Sequence, residues 1–156
     1  MYDTILVPTD GSPAAERAVD HAVELAAQFG ATVHALYVVD VALYSSLEAG
    51  VDAVMEALEA EGDEAVEEVA SRCAAVDVDA ETAVVVGTVH RAIEKYVEDN
   101  DVDLVVMGTH GRQGIERFLL GSVAERTVRT SSVPVLTVSL DDTDRDEDAT
   151  DAAETE

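Results

Sequence analysis

The residues with the clearest chemical potential form a glycine pattern in the second half of the chain. Gly108 and Gly111 are separated by two residues, nine more residues lead to Gly121, and Ser122 follows directly. Because glycine has no Cβ atom, its backbone can approach a ligand closely and can surround a phosphate group. The spacing therefore predicts a loop that binds a phosphorylated ligand.

A helix is predicted to begin at Ser122 and to end near residue 130. Its first turn contains Ser122, Val123 and Ala124, where unpaired N–H groups and the helix dipole favour an anion. Glu125 lies three residues after Ser122, which is the spacing of a capping box. We therefore expect the first-turn amides to bind phosphate, with the Ser122 hydroxyl either joining them or serving only as the cap.

The same segment contains the only concentration of basic residues in the chain. Between residues 112 and 129, two glutamates stand against four arginines, namely Arg112, Arg117, Arg126 and Arg129. Over the full chain acids dominate, with 34 Asp and Glu against 9 Lys and Arg and a net charge of −25. A basic segment beside glycine loops in so acidic a protein favours an anionic small ligand.

The net charge and the composition also exclude classes of function. A charge of −25 repels nucleic-acid backbones and anionic lipid surfaces, so neither is expected as a partner. The charge is typical of a halophilic protein, because high salt screens self-repulsion, and an acidic surface for partner docking is the alternative. We expect a cytoplasmic protein, because the sequence has no apolar run of membrane-spanning length, no signal pattern and one cysteine, Cys73.

Apolar runs alternate with helical patterns along residues 1–140. Strands are predicted at 4–7, 32–39, 78–86, 104–107 and 135–138, and helices at 13–29, 47–75, 89–97 and 122–130. Ser12 is the expected N-cap of the first helix, Gly30 its C-cap, and Gly62 a candidate kink in the second. The alternation predicts an α/β fold, a three-layer, doubly wound sandwich around a five-stranded parallel sheet.

In a doubly wound fold, ligands bind beyond the carboxyl ends of the strands, where the winding reverses. The segments expected there are Pro8–Ser12, Val38–Asp40, Gly87–Thr88 and the residues after Met107. Other notable side chains fit the helix and strand patterns and are interpreted as structural, namely His21, His34, His90, Met55, Met107 and Cys73. No catalytic residue and no metal ligand is assigned.

The chain divides into one domain and a tail. Residues 1–140 contain all of the predicted elements and no internal repeat. Residues 141–156 contain nine acids, one arginine and almost nothing apolar. That composition predicts a disordered acidic tail.

Three motifs resemble the universal stress protein family. The glycine pattern matches the nucleotide-binding signature of that family, G-x2-G-x9-G-[S/T]. The segment Ile5–Ser12 resembles the first strand and loop of the family, and Ser131–Val138 resembles its last strand. The resemblance covers about residues 1–140 without a large insertion, and the acidic tail lies outside the family pattern.

The resemblance implies the universal stress protein fold, which is of the adenine nucleotide alpha hydrolase-like type, with ATP and Mg²⁺ as the ligand. By matched position, Asp10 would hold the ribose hydroxyls, and the backbone of Pro8, Thr9 and Val38 would line the adenine side. The phosphates would contact Gly108, Gly111, Gly121, Ser122 and the amides of Arg112, Val123 and Ala124. His110 is a further candidate at the phosphates, with an exposed loop position as the alternative.

The family also implies a homodimer, in which the edge strand Val135–Val138 pairs with its counterpart about a two-fold axis. The sequence lacks a P-loop, a dinucleotide signature and the phosphoacceptor pattern of a response-regulator receiver. The leading function is an ATP-binding module for stress response or signalling, whose nucleotide changes its dimer or partner state. A slow ATPase and a nucleotide-free dimeric interaction protein are the alternatives.

Overall fold

The computed structural model describes residues 1–43, 50–111 and 120–140. Its elements are β1 (Thr4–Pro8), α1 (Pro13–Phe29), β2 (Thr32–Asp40), α2 (Val51–Ala74), β3 (Ala80–Gly87), α3 (Val89–Asp99), β4 (Leu104–Gly108), α4 (Ser122–Thr130) and β5 (Val135–Val138), with a short 3-10 turn at Val41–Leu43. Three features predicted from the sequence lie outside the described residues: the start of the second helix at residue 47, Arg112, and the tail at 141–156.

The five strands form one sheet in the order β3-β2-β1-β4-β5, and every neighbouring pair is parallel. The chain passes from β1 outward to β3, then crosses back to β4 and β5 on the other side of β1. The winding therefore reverses between β1 and β4, which is where doubly wound folds bind ligands. The predicted fold class is confirmed.

Two helices cover each face of the sheet. One core cluster joins β-strand residues such as Ile5 and Val7 to α1 and α2, and it includes Ala18 and Val66. Leu6 points to the opposite face, as strand alternation requires, and packs there with α3 and α4. The three-layer arrangement thus follows from apolar residues on both faces of the strands.

The ends of the first two helices have specific causes. Ser12 is the N-cap of α1, since its hydroxyl accepts a hydrogen bond from the amide of Ala15 at 3.4 Å, and Gly30 is the C-cap, as predicted. Helix α2 continues through Gly62 without a break. A Cβ atom on Gly62 would lie 2.6 Å from Cδ1 of Tyr37, so the glycine allows α2 to pack closely on β2.

The structure corrects the predicted start of the third strand, and it supports a structural role for Cys73 and His34. Val78 lies outside β3, because its amide donates to the carbonyl of Cys73 at 2.9 Å and closes the end of α2. Cys73 is fully buried, and burial raises the pKa of its thiol. His34 is buried and its Nδ1 lies 2.8 Å from the Tyr96 hydroxyl, which joins β2 to α3. None of the described helices is both long enough and apolar enough to span a membrane.

Candidate functional site

A cavity of about 400 Å³ opens at the carboxyl edge of the sheet, at the point where the winding reverses. This volume is within the range of roughly 300–1,000 Å³ that small-molecule sites have. The ends of β1, β2 and β4 and the starts of α3 and α4 line it. Its lining contains every predicted site residue that the structure describes, namely Pro8, Thr9, Asp10, Val38, Gly108, His110, Gly111, Gly121, Ser122, Val123 and Ala124.

Asp10 begins the turn that follows β1. Its Oδ1 accepts a hydrogen bond from the amide of Ser12 at 2.9 Å, and Thr9 Oγ1 accepts one from the amide of Gly11 at 3.2 Å. Oδ2 faces Gly111, where an added Cβ atom would lie only 2.6 Å away. Asp10 therefore holds the turn after β1 and also lines the cavity.

The other two signature glycines allow close contacts between segments. A Cβ atom on Gly108 would lie 2.9 Å from the carbonyl carbon of Ala14, so this glycine lets the end of β4 pack on the start of α1. The amide of Gly121 donates to the carbonyl oxygen of Thr109 at 2.7 Å, and an added Cβ would lie 3.2 Å from that oxygen. Gly121 thus holds the start of α4 against the loop after β4.

Helix α4 begins at Ser122, as predicted, but its cap differs from the prediction. Gly121 is its N-cap, without a side-chain cap hydrogen bond, and Ser122 is already the first helical residue. The predicted capping box is wrong, because a capping box needs the serine one position earlier, and Glu125 pairs with Arg129 instead. The first-turn amides consequently meet the cavity without a side-chain cap, which is the arrangement that favours an anion.

His110 contributes a buried polar atom to this edge. Its Nδ1 lies 3.1 Å from Oγ1 of Thr109. Its Nε2 is buried and has no hydrogen-bond partner among the described residues. An unsatisfied buried polar group costs roughly 1–3 kcal/mol, and a ligand with oxygen atoms could supply the missing partner. The ring is half-buried and lines the cavity, so the simple exposed-loop alternative does not describe it.

The two arginines of the predicted basic segment that the structure describes, Arg126 and Arg129, lie outside the cavity lining. Arg112 and Arg117 lie outside the described residues. Arg126 is exposed on α4, with Nη1 3.4 Å from Nδ1 of His90, and Arg129 forms its ion pair with Glu125. Neither side chain belongs to the cavity lining. Within the described ranges, no group of three His, Cys, Asp or Glu side chains is placed to hold a metal ion.

Several lining residues had no individual assignment from the sequence. Asp40, the last residue of β2, is the charged one among those that the structure describes. The rule that ligands bind at strand ends could have found it, since Val38–Asp40 was among the segments expected near the site. The apolar wall consists of residues that sequence patterns assign to the core, such as Leu36, Val89, Ile93 and Met107.

Comparison with known proteins agrees with this fold. The model of the universal stress protein family matches residues 1–139. Universal stress protein MJ0531 of Methanocaldococcus jannaschii is 40% identical over 140 residues, which cover 88% of this chain and 82% of that protein.

Solved structures show the same architecture. The structure of MJ0577, a second universal stress protein of Methanocaldococcus jannaschii, superposes with a TM-score of 0.83 at 33% identity, covering 91% of this chain and 99% of that one. A universal stress protein in complex with cAMP has a TM-score of 0.65 at 30% identity, over 88% of this chain and 97% of that one. The match along residues 1–139 and the shared fold show that this chain belongs to the universal stress protein family.

Proposed function

We propose that this universal stress protein binds ATP in the cavity, and that the bound nucleotide changes its dimer or partner state. The observation that carries the proposal is the order of groups along the sheet edge. The anion-binding start of α4 follows β4, Asp10 follows β1, and Val38 lies near the end of β2. Adjacent strands are roughly 4.8 Å apart, so these positions span about 10 Å, in the order phosphate, ribose and base.

The phosphate end is supported by the start of α4 and the glycine loop. The first-turn amides of Ser122, Val123 and Ala124 line the cavity without a side-chain cap. Nε2 of His110 has no hydrogen-bond partner among the residues that the structure describes, which fits a ligand that brings phosphate oxygens to this edge. The amide of Arg112 and the backbone of Gly108 and Gly111 would also contact the phosphates. Mg²⁺ would arrive with the phosphates, which usually supply part of its coordination.

The ribose would be held by Asp10. An ionised carboxylate accepts hydrogen bonds and cannot donate them, which suits the two hydroxyl groups of a ribose. Its Oδ1 already accepts a hydrogen bond from the amide of Ser12, and this contact holds the carboxylate in place at the start of the turn. Pro8 and Thr9 precede it and line the same part of the cavity.

The base would be read by the backbone of Val38. The carbonyl of Leu36 accepts from the amide of Thr9 at 2.9 Å, and the register of β1 with β2 ends at Pro8 opposite Leu36. Backbone groups alternate sides along a strand, so the N–H and C=O of Val38 also face the β1 side, beyond the end of that register. One donor and one acceptor side by side match the ring nitrogen and the amino group of adenine.

Nucleotide binding is tested by calorimetry and thermal unfolding in molar KCl. A ligand that binds only the folded state stabilises it by about 2.7 kcal/mol at a hundredfold excess over its dissociation constant. We expect ATP with Mg²⁺ to give this shift with the parent chain. We expect Gly121→Val to abolish it, because the side chain would push the loop at Thr109 away from α4.

Gly87→Val is the matched control for that variant. Gly87 lies outside the cavity lining, and a Cβ atom there would meet nothing within 4 Å. It should bind ATP as the parent does. ATP binding of parental strength in Gly121→Val would contradict the proposal. Mass spectrometry of ligand released from freshly purified protein separates a nucleotide-binding module from a nucleotide-free one, and a turnover assay detects slow hydrolysis.

A further inference from the structure

The cavity contains a second carboxylate at the end of β2. Strand alternation places the side chains of Leu36, Val38 and Asp40 on the same face of the sheet, and Leu36 and Val38 pack there with α3. Asp40 is half-buried and lines the cavity. Asp40 therefore ends an apolar row of side chains with a charged group.

The surroundings of Asp40 suit a flat, apolar ring with a polar edge. Val89 and Ile93 of α3 and Met107 of β4 line the same cavity, and all three belong to the core cluster on the α3 face or pack against it. Asp10, the carboxylate proposed for the ribose, follows the end of β1, and β1 is the strand next to β2. Asp40 lies two residues beyond Val38, or roughly 6.6 Å along the strand.

We propose that Asp40 determines base specificity at this site, by selecting a purine with an amino group at position 6 over one with a carbonyl group there. This proposal rests on the nucleotide-binding function proposed above. An ionised carboxylate only accepts hydrogen bonds, so it favours the amino group of adenine. The 6-carbonyl oxygen of hypoxanthine or guanine would face it as a second acceptor, and two acceptors facing each other in a partly buried site are unfavourable.

The known contact of Asp40 defines the competing explanation. Its Oδ1 accepts a hydrogen bond from the amide of Ala42 at 3.0 Å, which caps the 3-10 turn Val41–Leu43. A residue that serves only this turn would not distinguish one base from another. Asp40→Asn separates the two roles, because an amide oxygen still accepts from Ala42, whereas the new NH₂ group donates to a 6-carbonyl oxygen.

The test is titration calorimetry of the full chain in molar KCl with ATP and with ITP, which has a carbonyl group at position 6 in place of the amino group and, with it, a hydrogen on N1. We expect the parent to bind ATP at least about tenfold more tightly than ITP, the scale of one hydrogen bond to a charged group. In Asp40→Asn the ATP-to-ITP ratio should fall at least about threefold below the parental value, because the amide can serve either base, while the backbone of Val38 keeps the rest of the preference for adenine. The melting temperature of the variant checks that the turn at Val41–Leu43 is intact.

Asp10→Asn is the matched control, since it alters the carboxylate assigned to the ribose. It should weaken ATP and ITP by similar factors and leave their ratio at the parental value. A parental ATP-to-ITP ratio in Asp40→Asn, or a ratio near one in the parent, would overturn the role of Asp40 while leaving nucleotide binding in place. Failure of the parent to bind either nucleotide would overturn the proposed function as well.

Discussion

At the scale of single residues, the glycine signature performs three separate tasks. Gly108 makes room for α1, Gly111 makes room for the carboxylate of Asp10, and Gly121 brings α4 against the carbonyl of Thr109. These contacts join β1, β4 and α4 at one edge of the sheet. The spacing of the signature glycines therefore reflects close packing between the segments of the site, in addition to any contact of their backbone with phosphate.

The sequence predicted which residues line the cavity, but it did not predict all of their contacts. Asp10 was recognisable from the motif after β1, and its hydrogen bond with Ser12 is a local contact across two residues. The capping box at Ser122 failed although the helix begins there, because Gly121 is the N-cap and its amide bonds to the carbonyl of Thr109 at 2.7 Å, a tertiary contact that the local pattern does not contain. Asp40 received no role because a carboxylate at a strand end has no pattern of its own.

Gly62→Ala tests close packing between α2 and β2. Alanine is the better helix former by up to about 1 kcal/mol, so a helix that needed nothing else from this position would gain stability. Here the new Cβ would lie 2.6 Å from Cδ1 of Tyr37, whose ring is buried. We expect the free energy of unfolding to fall by about 1–3 kcal/mol, the usual cost of overpacking, as measured by denaturant titration.

Gly87→Ala provides the comparison for Gly62→Ala. A Cβ atom at Gly87 meets nothing within 4 Å, so the change should stay within about 0.5 kcal/mol. An increase in stability in Gly62→Ala would show that the ring of Tyr37 moves aside at little cost. That result would contradict a packing role for this glycine.

At the scale of elements, patterning gave the order and type of the helices and strands, because long apolar periods depend on burial alone. The boundaries were less accurate where backbone hydrogen bonds decide them. Val78 continues the apolar run of the third strand, yet its amide bonds to the carbonyl of Cys73, and β3 begins at Ala80. Hydropathy does not distinguish a strand residue from an apolar residue that closes a helix.

In the edge strand β5, alternate residues direct their backbone hydrogen-bonding groups toward β4 and away from it. The carbonyls of Pro134 and Val138 accept from the amides of Val105 and Thr109, so residues 134, 136 and 138 turn their backbone groups toward β4. By alternation, Val135 and Thr137 turn theirs outward. The side chain of Leu136 is 39% exposed. An edge whose backbone groups pair with no other described strand on the outer side, and which exposes Leu136, suits pairing with a second copy.

Thr137→Pro tests the proposed homodimer. It removes an outward-facing donor in each subunit and keeps the bonds to β4, so the dimer dissociation constant should rise about tenfold or more. Sedimentation equilibrium in high salt measures this change. Leu136→Pro is the contrasting variant, because it removes a donor that faces β4 and should destabilise the sheet itself. A parent chain that is monomeric at micromolar concentration would contradict the dimer.

At the scale of the whole molecule, charge is the dominant feature. Residues 1–140 have 25 acids and 8 bases, a net charge of −17, and residues 141–156 add −8. Ion pairs between acidic and basic side chains offset little of this negative charge. Arg72 of α2 joins that helix to α1 through Asp20 at 3.2 Å and also pairs with Glu68 within α2 at 2.7 Å, and it is one of few cations available for such contacts.

The acidic segment is attached next to the candidate site. The carbonyl of Val138, at the end of β5, accepts a hydrogen bond from the amide of Thr109 at 2.9 Å. Thr109 precedes His110 in the loop that lines the cavity. The described part of the chain ends two residues beyond Val138, and the sequence that follows it, residues 141–156, has a net charge of −8.

This arrangement predicts two dependences on salt that truncation after Leu140 can separate. The Debye length falls from about 10 Å at 0.1 M to about 3 Å at 1 M, so the melting temperature of the full chain should rise steeply with KCl. Truncation should change the melting temperature in molar KCl little, since every described element remains, and should modestly reduce its dependence on salt.

At 0.1 M KCl, the truncated chain should bind ATP more tightly than the full chain, because repulsion between the tail and the phosphates is removed. In molar KCl the two affinities should converge. Calorimetry at both salt concentrations measures this difference, and equal affinities at 0.1 M would show that the tail keeps its charge away from the site. A melting temperature that stays constant between low and high KCl would contradict the halophilic interpretation itself.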